Sequence, residues 1–221
     1  MNTASGISEL ATRFALEQAQ LARLDRLAQL SVELEISGTA IKSADEARDL
    51  HIADSLAGLE VSSIREASQI VDIGSGVGFP GIVLAIALPN AQITLVDSVR
   101  KKMEAAAGLV RELGIENVEC VWARVEEFAA EGAPAREAFD VVTARALASL
   151  TALVEYAAPL LKVGGSLVAW KGVPEAGELA DAAAAEAELG FGAGALTPTK
   201  PFPGSRSRHF FVSTKLDPTP S

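Results

Sequence analysis

Closely spaced glycines between two apolar segments constrain this 221-residue chain more than any other feature. The stretch from Val71 to Gly81 reads VDIGSGVGFPG, with an acid two residues before the first glycine. Glycine accepts positive φ and lets a ligand approach the backbone without meeting a Cβ atom. A helix that begins just after such a loop offers N–H groups to an anion. The pattern predicts a strand, a ligand-binding turn and a helix in succession, and a purely structural turn is the alternative.

Runs of apolar, β-branched residues alternate with helix-favouring segments after this loop. Strands are predicted at 70–73, 92–96, 117–122, 139–143, 166–170 and 209–214, and helices at 7–30, 44–59, 82–88, 100–113, 150–161 and 175–189. Gly164-Gly165 is predicted as a turn, and 190–203 as a loop with room for a short strand. This alternation implies crossover connections and a mainly parallel sheet with helices on both faces. We therefore predict an α/β domain over 67–221 and an N-terminal helical extension, packed on it, over 1–66.

The glycine spacing separates two classes of nucleotide ligand. A dinucleotide loop needs glycine at the third position of Gly-x-Gly-x-x-Gly, where this chain has Phe79. Asp97 closes the second predicted strand, about 20 residues past the glycines, where an acid can accept both hydroxyls of a ribose. These features together predict an adenosine-containing ligand. The alternative for Asp97 is a cap on the helix that starts near Val99.

The acid-x-Gly-x-Gly-x-Gly order resembles the first motif of Rossmann-like class I S-adenosylmethionine-dependent methyltransferases. The glycine loop with its Gly-Phe-Pro-Gly ending, together with further segments in the same order, resembles the glucose-inhibited division protein B family of bacterial 16S ribosomal RNA guanine-N7 methyltransferases. The further segments are HIADSL at 51–56, TLVDS at 94–98 with RKK at 100–102, RVEEF at 124–128, TARA at 143–146, AWKG at 169–172 and RHFFV at 208–212. The resemblance covers roughly residues 45–215.

This resemblance implies the fold, a cofactor and a substrate. The cofactor is S-adenosyl-L-methionine, and the substrate is guanine N7 in the 530 loop of 16S rRNA, within the RNA or the small ribosomal subunit. Implied cofactor-binding residues are Gly74, Ser75, Gly76, Gly78, Phe79, Asp97, Val125, Glu126 and Arg145. Phe79 and Gly74 line the methionine side, while Val125 and Glu126 flank the adenine. Implied RNA-binding residues are Lys171, Arg206, Arg208, Lys101 and Lys102.

No residue is predicted to act as a general base, because guanine N7 already carries an unprotonated lone pair. Arg145 and Lys171 are candidates for orienting the substrate instead. An ordinary surface ion pair is the alternative for Arg145, and solvated helix positions are the alternative for Glu126 and the lysine pair. His51 and Asp54 share one helix face, where they either close the site or tie the N-terminal helices to the sheet.

Other features narrow the chemistry. The chain lacks the Asn/Asp-Pro-Pro-aromatic segment of exocyclic-amine methyltransferases, and Cys120 is predicted to be a small buried side chain rather than a nucleophile. Trp122 and Trp170 are predicted to belong to the core. Residues 31–43 lack the Trp-Asn and Asn-Leu-Thr segments typical of the family. Methylation of another RNA or a small molecule, or binding in ribosome assembly without catalysis, are the competing hypotheses.

Composition and charge limit which partners and which cellular location are expected. The net charge of −10 opposes extended RNA binding, yet residues 191–221 carry four basic side chains and one acid, a partner-binding asymmetry or a chance fluctuation. A single cysteine excludes a multi-cysteine metal site, and no metal is predicted. No apolar run approaches the roughly 18 residues of a membrane span, and residues 1–14 do not resemble a signal peptide. We expect a cytoplasmic monomer.

Overall fold

The structure is a computed structural model that describes residues 4–33, 41 and 43–219. Within these residues the helices are α1 (Ala4–Arg13), α2 (Gln18–Glu33), α3 (Ala44–Ala47), α4 (Asp54–Leu56), α5 (Ser62–Glu66), α6 (Gly81–Ala87), α7 (Arg100–Glu112), α8 (Val125–Phe128), α9 (Leu150–Ala157) and α10 (Glu178–Glu188). A π-helical turn (Arg48–Ala53) joins α3 to α4, and a 3-10 turn (Ala57–Glu60) follows α4. The strands are β1 (Gln69–Ile73), β2 (Gln92–Asp97), β3 (Val118–Trp122), β4 (Phe139–Arg145), β5 (Leu161–Lys171), β6 (Ala195–Thr199) and β7 (Arg208–Thr214).

These seven strands form one sheet in the order β3-β2-β1-β4-β5-β7-β6. Strands β1 to β5 are parallel, and β7 runs antiparallel to both of its neighbours. The order reverses between β1 and β4, so a crevice opens there at the carboxyl ends of the strands. The predicted mainly parallel α/β sheet is confirmed.

Each face of the sheet buries its own apolar cluster, because successive strand side chains point to opposite faces. Ile70, Ile93 and Val141 pack with the N-terminal helices, α6 and α7. Val71 and Val142 pack on the other face, against α9 and α10. The helices therefore cover both faces, and the N-terminal helices lie on the first of them. The division of the chain at residue 66 stays a prediction.

Two sequence predictions about the elements are wrong. The single helix predicted over 7–30 is interrupted between α1 and α2, where Ala15 has a φ of 53° and the Leu16 N–H donates to the Ala11 carbonyl at 2.9 Å. This bond and one from the Ala15 N–H to the Thr12 carbonyl at 3.3 Å end α1 in a Schellman motif, with alanine in the left-handed position that usually holds glycine. Most of residues 31–43, the segment that departs from the family pattern, lies outside the described residues.

The second wrong prediction is the turn at Gly164-Gly165, which instead lies inside β5. The Gly164 N–H donates to the Lys215 carbonyl at 2.8 Å, and the Lys215 N–H donates to the Gly165 carbonyl at 2.9 Å. A Cβ atom on Gly165 would approach the Asp140 carbonyl oxygen to 2.9 Å. The glycine pair is therefore explained by close backbone approach at an irregular point of the β4–β5 pairing.

Candidate active site

The glycine loop follows β1 at the carboxyl edge of the sheet, and its three glycines all have positive φ. The angles are 63° at Gly74, 61° at Gly76 and 108° at Gly78. A Cβ atom on Gly78 would lie 2.3 Å from Ile82 Cδ1, whereas one on Gly76 would meet no atom within 4 Å. Gly78 is thus required for packing of the loop on α6, and Gly76 leaves open space beside the backbone.

Asp72 binds the helix start that the sequence predicted to be free for an anion. Its Oδ2 accepts from the Gly81 N–H at 2.9 Å, and its Oδ1 accepts from the Thr143 hydroxyl at 2.9 Å. Complete burial raises the pKa of Asp72 to about 7, against these two hydrogen bonds, which lower it. The group that binds the start of α6 is therefore the chain's own Asp72 side chain, so the Gly81 N–H is not free for a ligand.

Asp97 is buried, and both of its carboxylate oxygens accept backbone hydrogen bonds. Oδ2 accepts from the Gly76 N–H at 2.9 Å, and Oδ1 accepts from the Val99 N–H at 2.8 Å. The Oδ1 bond belongs to the turn before α7, whose N-cap residue is Val99, so Asp97 does not cap the helix; the other oxygen fixes the glycine loop. Each oxygen keeps a second lone pair, so these bonds are compatible with ribose hydroxyls as further donors.

A cleft of about 140 Å³ opens beside the loop and contains four of the predicted cofactor residues. Gly74, Asp97, Val125 and Glu126 line it, together with four residues that sequence reasoning missed: Ser98, Arg124, Leu147 and Tyr156. Ser98 and Arg124 directly follow or precede predicted residues, so adjacency could have found them. No sequence pattern distinguishes Leu147 and Tyr156.

The remaining predicted cofactor residues do not line this cleft. Gly76 and Gly78 belong to the loop behind it, and Phe79 is buried under His51, with ring centroids 4.4 Å apart. Ser75 is 3% exposed, and its hydroxyl has no hydrogen-bond partner in the described part of the chain. A buried hydroxyl without a partner, next in the chain to Gly76 and the open space beside it, fits a polar ligand such as the methionine end of S-adenosylmethionine.

A second cleft, of about 800 Å³, lies at the carboxyl ends of β4 and β5 and the start of β7. Arg145, Lys171 and Arg208 come from these three strand ends and line it. Ala146 and Ala148 also line this cleft, whereas Leu147 between them lines the smaller one. Residues 145–148 therefore separate two adjoining clefts.

Arg145 forms a partly buried ion pair rather than the surface pair that was its alternative. Its Nη1 lies 3.1 Å from Asp54 Oδ2 and donates to the Leu50 carbonyl at 3.1 Å. Its Nη2 lies 3.3 Å from His51 Nδ1. Burial, followed by the Arg145 charge, lowers the pKa of His51 to about 4, so the ring is neutral and accepts from the guanidinium. The His51 and Asp54 helix face thereby ties the N-terminal helices to β4.

Lys171 is also paired, and the pair connects two helices. Its Nζ lies 2.6 Å from Glu178 Oε1, which also accepts from the Leu150 N–H at 3.0 Å. Glu178 Oε2 accepts from the Glu175 N–H at 3.2 Å. Burial alone would raise the pKa of Glu178, but the hydrogen bond from Lys171 and those from the backbone outweigh it and lower the pKa.

The other predicted RNA-binding residues lie outside the 800 Å³ cleft. Lys101 and Lys102 are in the first turn of α7, beyond β2, and Arg206 is exposed before β7. The structure thus brings together Arg145, Lys171 and Arg208 but does not place the other three basic residues with them.

The two tryptophans differ in burial, so the prediction that both belong to the core is half wrong. Trp170 is 8% exposed and donates from Nε1 to the Asp54 carbonyl at 2.8 Å. Trp122 is 58% exposed because it ends the edge strand β3. Its Nε1 donates to the Ser98 carbonyl at 3.0 Å, and the Arg100 guanidinium lies 5.3 Å from the ring centre.

Two further features bear on the chemistry. Cys120 lies half-buried on β3, and burial raises the pKa of its thiol, which disfavours the reactive thiolate. Over the described ranges, no three His, Cys, Asp or Glu side chains come together as a cation would need. No helix in the same residues is long and apolar enough to cross a membrane.

Known proteins resemble this chain at the level of sequence. The family profile described as "GidB: rRNA small subunit methyltransferase G" matches residues 20–197. Two relatives are called "Ribosomal RNA small subunit methyltransferase G". The protein from Exiguobacterium sp. is 38% identical, over 100% of this chain and 93% of the relative. The protein from Limosilactobacillus fermentum is 40% identical, over 93% of this chain and 86% of the relative.

Solved structures resemble it at the level of fold. An S-adenosylmethionine-dependent O-methyltransferase from Thermotoga maritima superimposes with a TM-score of 0.61 at 15% identity, covering 88% of this chain and 73% of the other. The O-methyltransferase TomG from Streptomyces achromogenes, solved in complex with S-adenosylmethionine, gives 0.58 at 21% identity, covering 98% and 100%. The fold is that of the Rossmann-like class I methyltransferases.

Proposed function

Because the chain belongs to the GidB family of rRNA small subunit methyltransferases G, we propose that it methylates guanine N7 in the 530 loop of 16S rRNA. Family membership supports methylation of ribosomal RNA with S-adenosyl-L-methionine. The atom and the loop rest on the sequence motifs quoted above. The protein acts as a cytoplasmic monomer in this proposal.

The observation that carries the proposal is the pair of clefts that residues 145–148 separate. The smaller cleft adjoins the glycine loop and Asp97, which is the cofactor side. The larger cleft presents Arg145, Lys171 and Arg208, which suit a polyanionic substrate such as RNA. Adjoining clefts suit a transfer in which donor and acceptor must meet.

The bound cofactor supplies an electrophilic methyl group on a sulfonium centre. Asp97 and Ser75 are the residues that would hold its ribose and methionine ends. Arg145, Lys171 and Arg208 would bind and orient the RNA, so that the guanine faces the smaller cleft. Correct orientation alone can remove several kcal/mol from the barrier.

Two titratable groups next to the glycine loop are poorly placed to act as a base. The neutral imidazole of His51 is 8% exposed, stacks on Phe79 and accepts from Arg145, so it is not available to abstract a proton. Asp72 is completely buried behind the loop. An acceptor with a free lone pair, such as guanine N7, fits this arrangement better than a hydroxyl that must lose a proton.

Mass spectrometry of 16S rRNA from a strain that lacks the protein tests the proposal. We expect 7-methylguanosine in the 530 loop to disappear and to return when the gene is restored. The purified chain should transfer labelled methyl to small ribosomal subunits from the deletion strain. An unchanged 7-methylguanosine level refutes the substrate assignment. Transfer to another RNA or to a metabolite would show which competing activity is correct.

A further inference from the structure

Asp54 lies between two arginines of the larger cleft and binds one with each carboxylate oxygen. Its Oδ2 is 3.1 Å from Arg145 Nη1, and its Oδ1 is 3.4 Å from Arg208 Nε. The carboxylate side chain is 6% exposed, whereas the Arg208 side chain is 40% exposed. A single buried carboxylate therefore connects the end of β4 with the start of β7.

The backbone of Asp54 is fixed by the sheet. Its carbonyl accepts from Trp170 Nε1 at 2.8 Å, and Trp170 packs edge-on against Phe210 with ring centroids 5.0 Å apart. Close packing continues at Gly58, where a Cβ atom would lie 2.5 Å from the Trp170 ring. Because the carboxylate is held at this point, the guanidinium groups that bind it have defined positions.

Arg208 forms its ion pair with Asp54 through Nε. Across the described part of the chain, its two terminal nitrogens have no hydrogen-bonded acceptor. Two terminal N–H₂ groups on a partly exposed guanidinium form a fork that matches two phosphate oxygens. The geometry leaves this fork available to the cleft.

We propose that Asp54 is a positioning residue that holds Arg145 and aims the free fork of Arg208 at a phosphodiester of the RNA substrate. This proposal rests on the proposed function, because it assumes an RNA in the larger cleft. It goes beyond it by assigning the orientation of Arg208 to a buried acid, Asp54, that also binds Arg145.

Simple charge arithmetic makes the opposite prediction, which gives the proposal a clear test. Asp54→Asn removes one negative charge beside two arginines, so electrostatics alone would tighten RNA binding. If Asp54 positions the arginines, the same change weakens binding, because the amide N–H₂ group turns a donor toward one of the two guanidinium groups.

The experiment measures methyl transfer to small ribosomal subunits with purified Asp54→Asn and Asp49→Asn variants. Asp49 is the matched control: it lies in the preceding π-helical turn, and its Oδ1 is buried without a partner. We expect the KM for subunits to rise about tenfold or more in Asp54→Asn. The KM for Asp49→Asn and the cofactor dissociation constant of both variants should change less than about twofold.

Arg208→Met completes the test. This variant should raise the KM for subunits. In the Arg208→Met background, Asp54→Asn should raise the KM by a smaller factor than it does in wild type, because the arginine that Asp54 positions is gone. An unchanged or lower KM in Asp54→Asn overturns the proposal. If Asp54→Asn does not fold, Arg208→Lys decides, because lysine keeps the charge but lacks the fork: a KM within twofold of wild type also overturns it. Absence of transfer by the wild-type chain would instead refute the proposed function.

Discussion

Asp72, beside the glycine loop, makes the stability of the folded protein depend on pH. Its pKa is raised by burial from 3.8 to about 7, so the folded state binds the proton more tightly than the unfolded state between these values. The contribution of Asp72 to stability is therefore fully present below about pH 4 and is lost as the pH rises through 7. A neutral carboxyl group also satisfies both Gly81 and Thr143.

Asp72→Asn should remove this dependence, because asparagine is neutral at every pH and can keep both hydrogen bonds. The free energy of unfolding of the variant minus that of wild type should increase by about 1 kcal/mol between pH 6 and pH 8, because only wild type loses stability over this range. Urea denaturation at the two pH values measures it. Because His51 titrates identically in both proteins, it cancels in the comparison, and parallel pH profiles would contradict the assignment.

Asp97 combines two roles that a substitution series can separate. Asp97→Ala should weaken S-adenosylmethionine binding by about 1–3 kcal/mol, through lost charge-assisted hydrogen bonds. Calorimetric titration with the cofactor measures the loss. Asp97→Asn keeps one acceptor and should weaken binding less. If binding by both variants equals that of wild type, Asp97 serves only to fix Gly76 and Val99.

At the scale of elements, the ion pair between Lys171 and Glu178 joins β5 to both helices on the second face. Glu178→Gln removes the charge that binds Lys171 and weakens the bond to the start of α9. We expect the free energy of unfolding to fall by about 1–3 kcal/mol at pH 7. Urea denaturation measures this, and Glu188→Gln, an exposed position in the same α10, should stay within about 0.5 kcal/mol of wild type.

The pH profile of the same variant carries a second check. Because the pKa of Glu178 is lowered in the folded state, its contribution is present above its ordinary pKa of 4.5 and is lost as the pH falls below it. The gap between wild type and Glu178→Gln should therefore narrow in acid. A gap that widens toward low pH would show that the loss is due to packing.

The elements also show where sequence reasoning succeeds and where it cannot. Strands β1, β2 and β4 were predictable because buried parallel strands are continuous apolar runs. The end of α1 was not, because the amphipathic period continues across Ala15 while hydrogen bonds of the Schellman type stop the helix.

The site shows the same limit. Asp97 and the glycines were predictable from local spacing, which carries loop conformation and strand ends. Tyr156 and Leu147 reach the smaller cleft only through the packing of α9 and the loop before it. The bond from Asp54 to Arg208 joins residues far apart in sequence, so a single sequence cannot reveal it.

At the scale of the whole molecule, one of the four basic residues of the C-terminal segment has no surface role. Lys215 is fully buried, and its Nζ binds Glu137 Oε1 and the carbonyls of Ala158 and Leu161, each at 2.8 Å. The hydrogen bond from Lys215 lowers the pKa of Glu137 to about 2. One of the four positive charges in residues 191–221 therefore serves a buried structural contact, the Lys215 clamp, and is not available to bind a partner.

Lys215→Met should destabilise the protein by about 1–3 kcal/mol, because the Leu161 carbonyl and Glu137 lose this donor. The Ala158 carbonyl, in contrast, keeps the hydroxyl of Thr219. Chemical denaturation followed by tryptophan fluorescence measures the change. Lys162→Met is the control, since Lys162 forms a half-exposed pair with Asp140 and should cost less than about 1 kcal/mol. Equal losses for the two variants would show that the Lys215 clamp contributes no more than a surface pair.

The net charge of −10 and the paired cations of the larger cleft set the salt dependence of RNA binding. Arg145 and Lys171 are paired with Asp54 and Glu178, so the cleft neutralises few RNA phosphates and releases few of their counterions. The logarithm of the binding constant for small ribosomal subunits should therefore fall with the logarithm of salt concentration with a slope between about −1 and −3. Filter binding between about 50 and 200 mM salt measures the slope.

Variants then locate the contacts. Arg208→Met should reduce the steepness by about one, whereas Arg111→Met, at the exposed end of α7, should leave it unchanged. A slope steeper than about −5 would mean that an extended basic surface binds the RNA. An acidic protein with a shallow slope must instead obtain specificity from the shape of its cleft and from a small number of oriented cations, which is the role that Asp54 would serve.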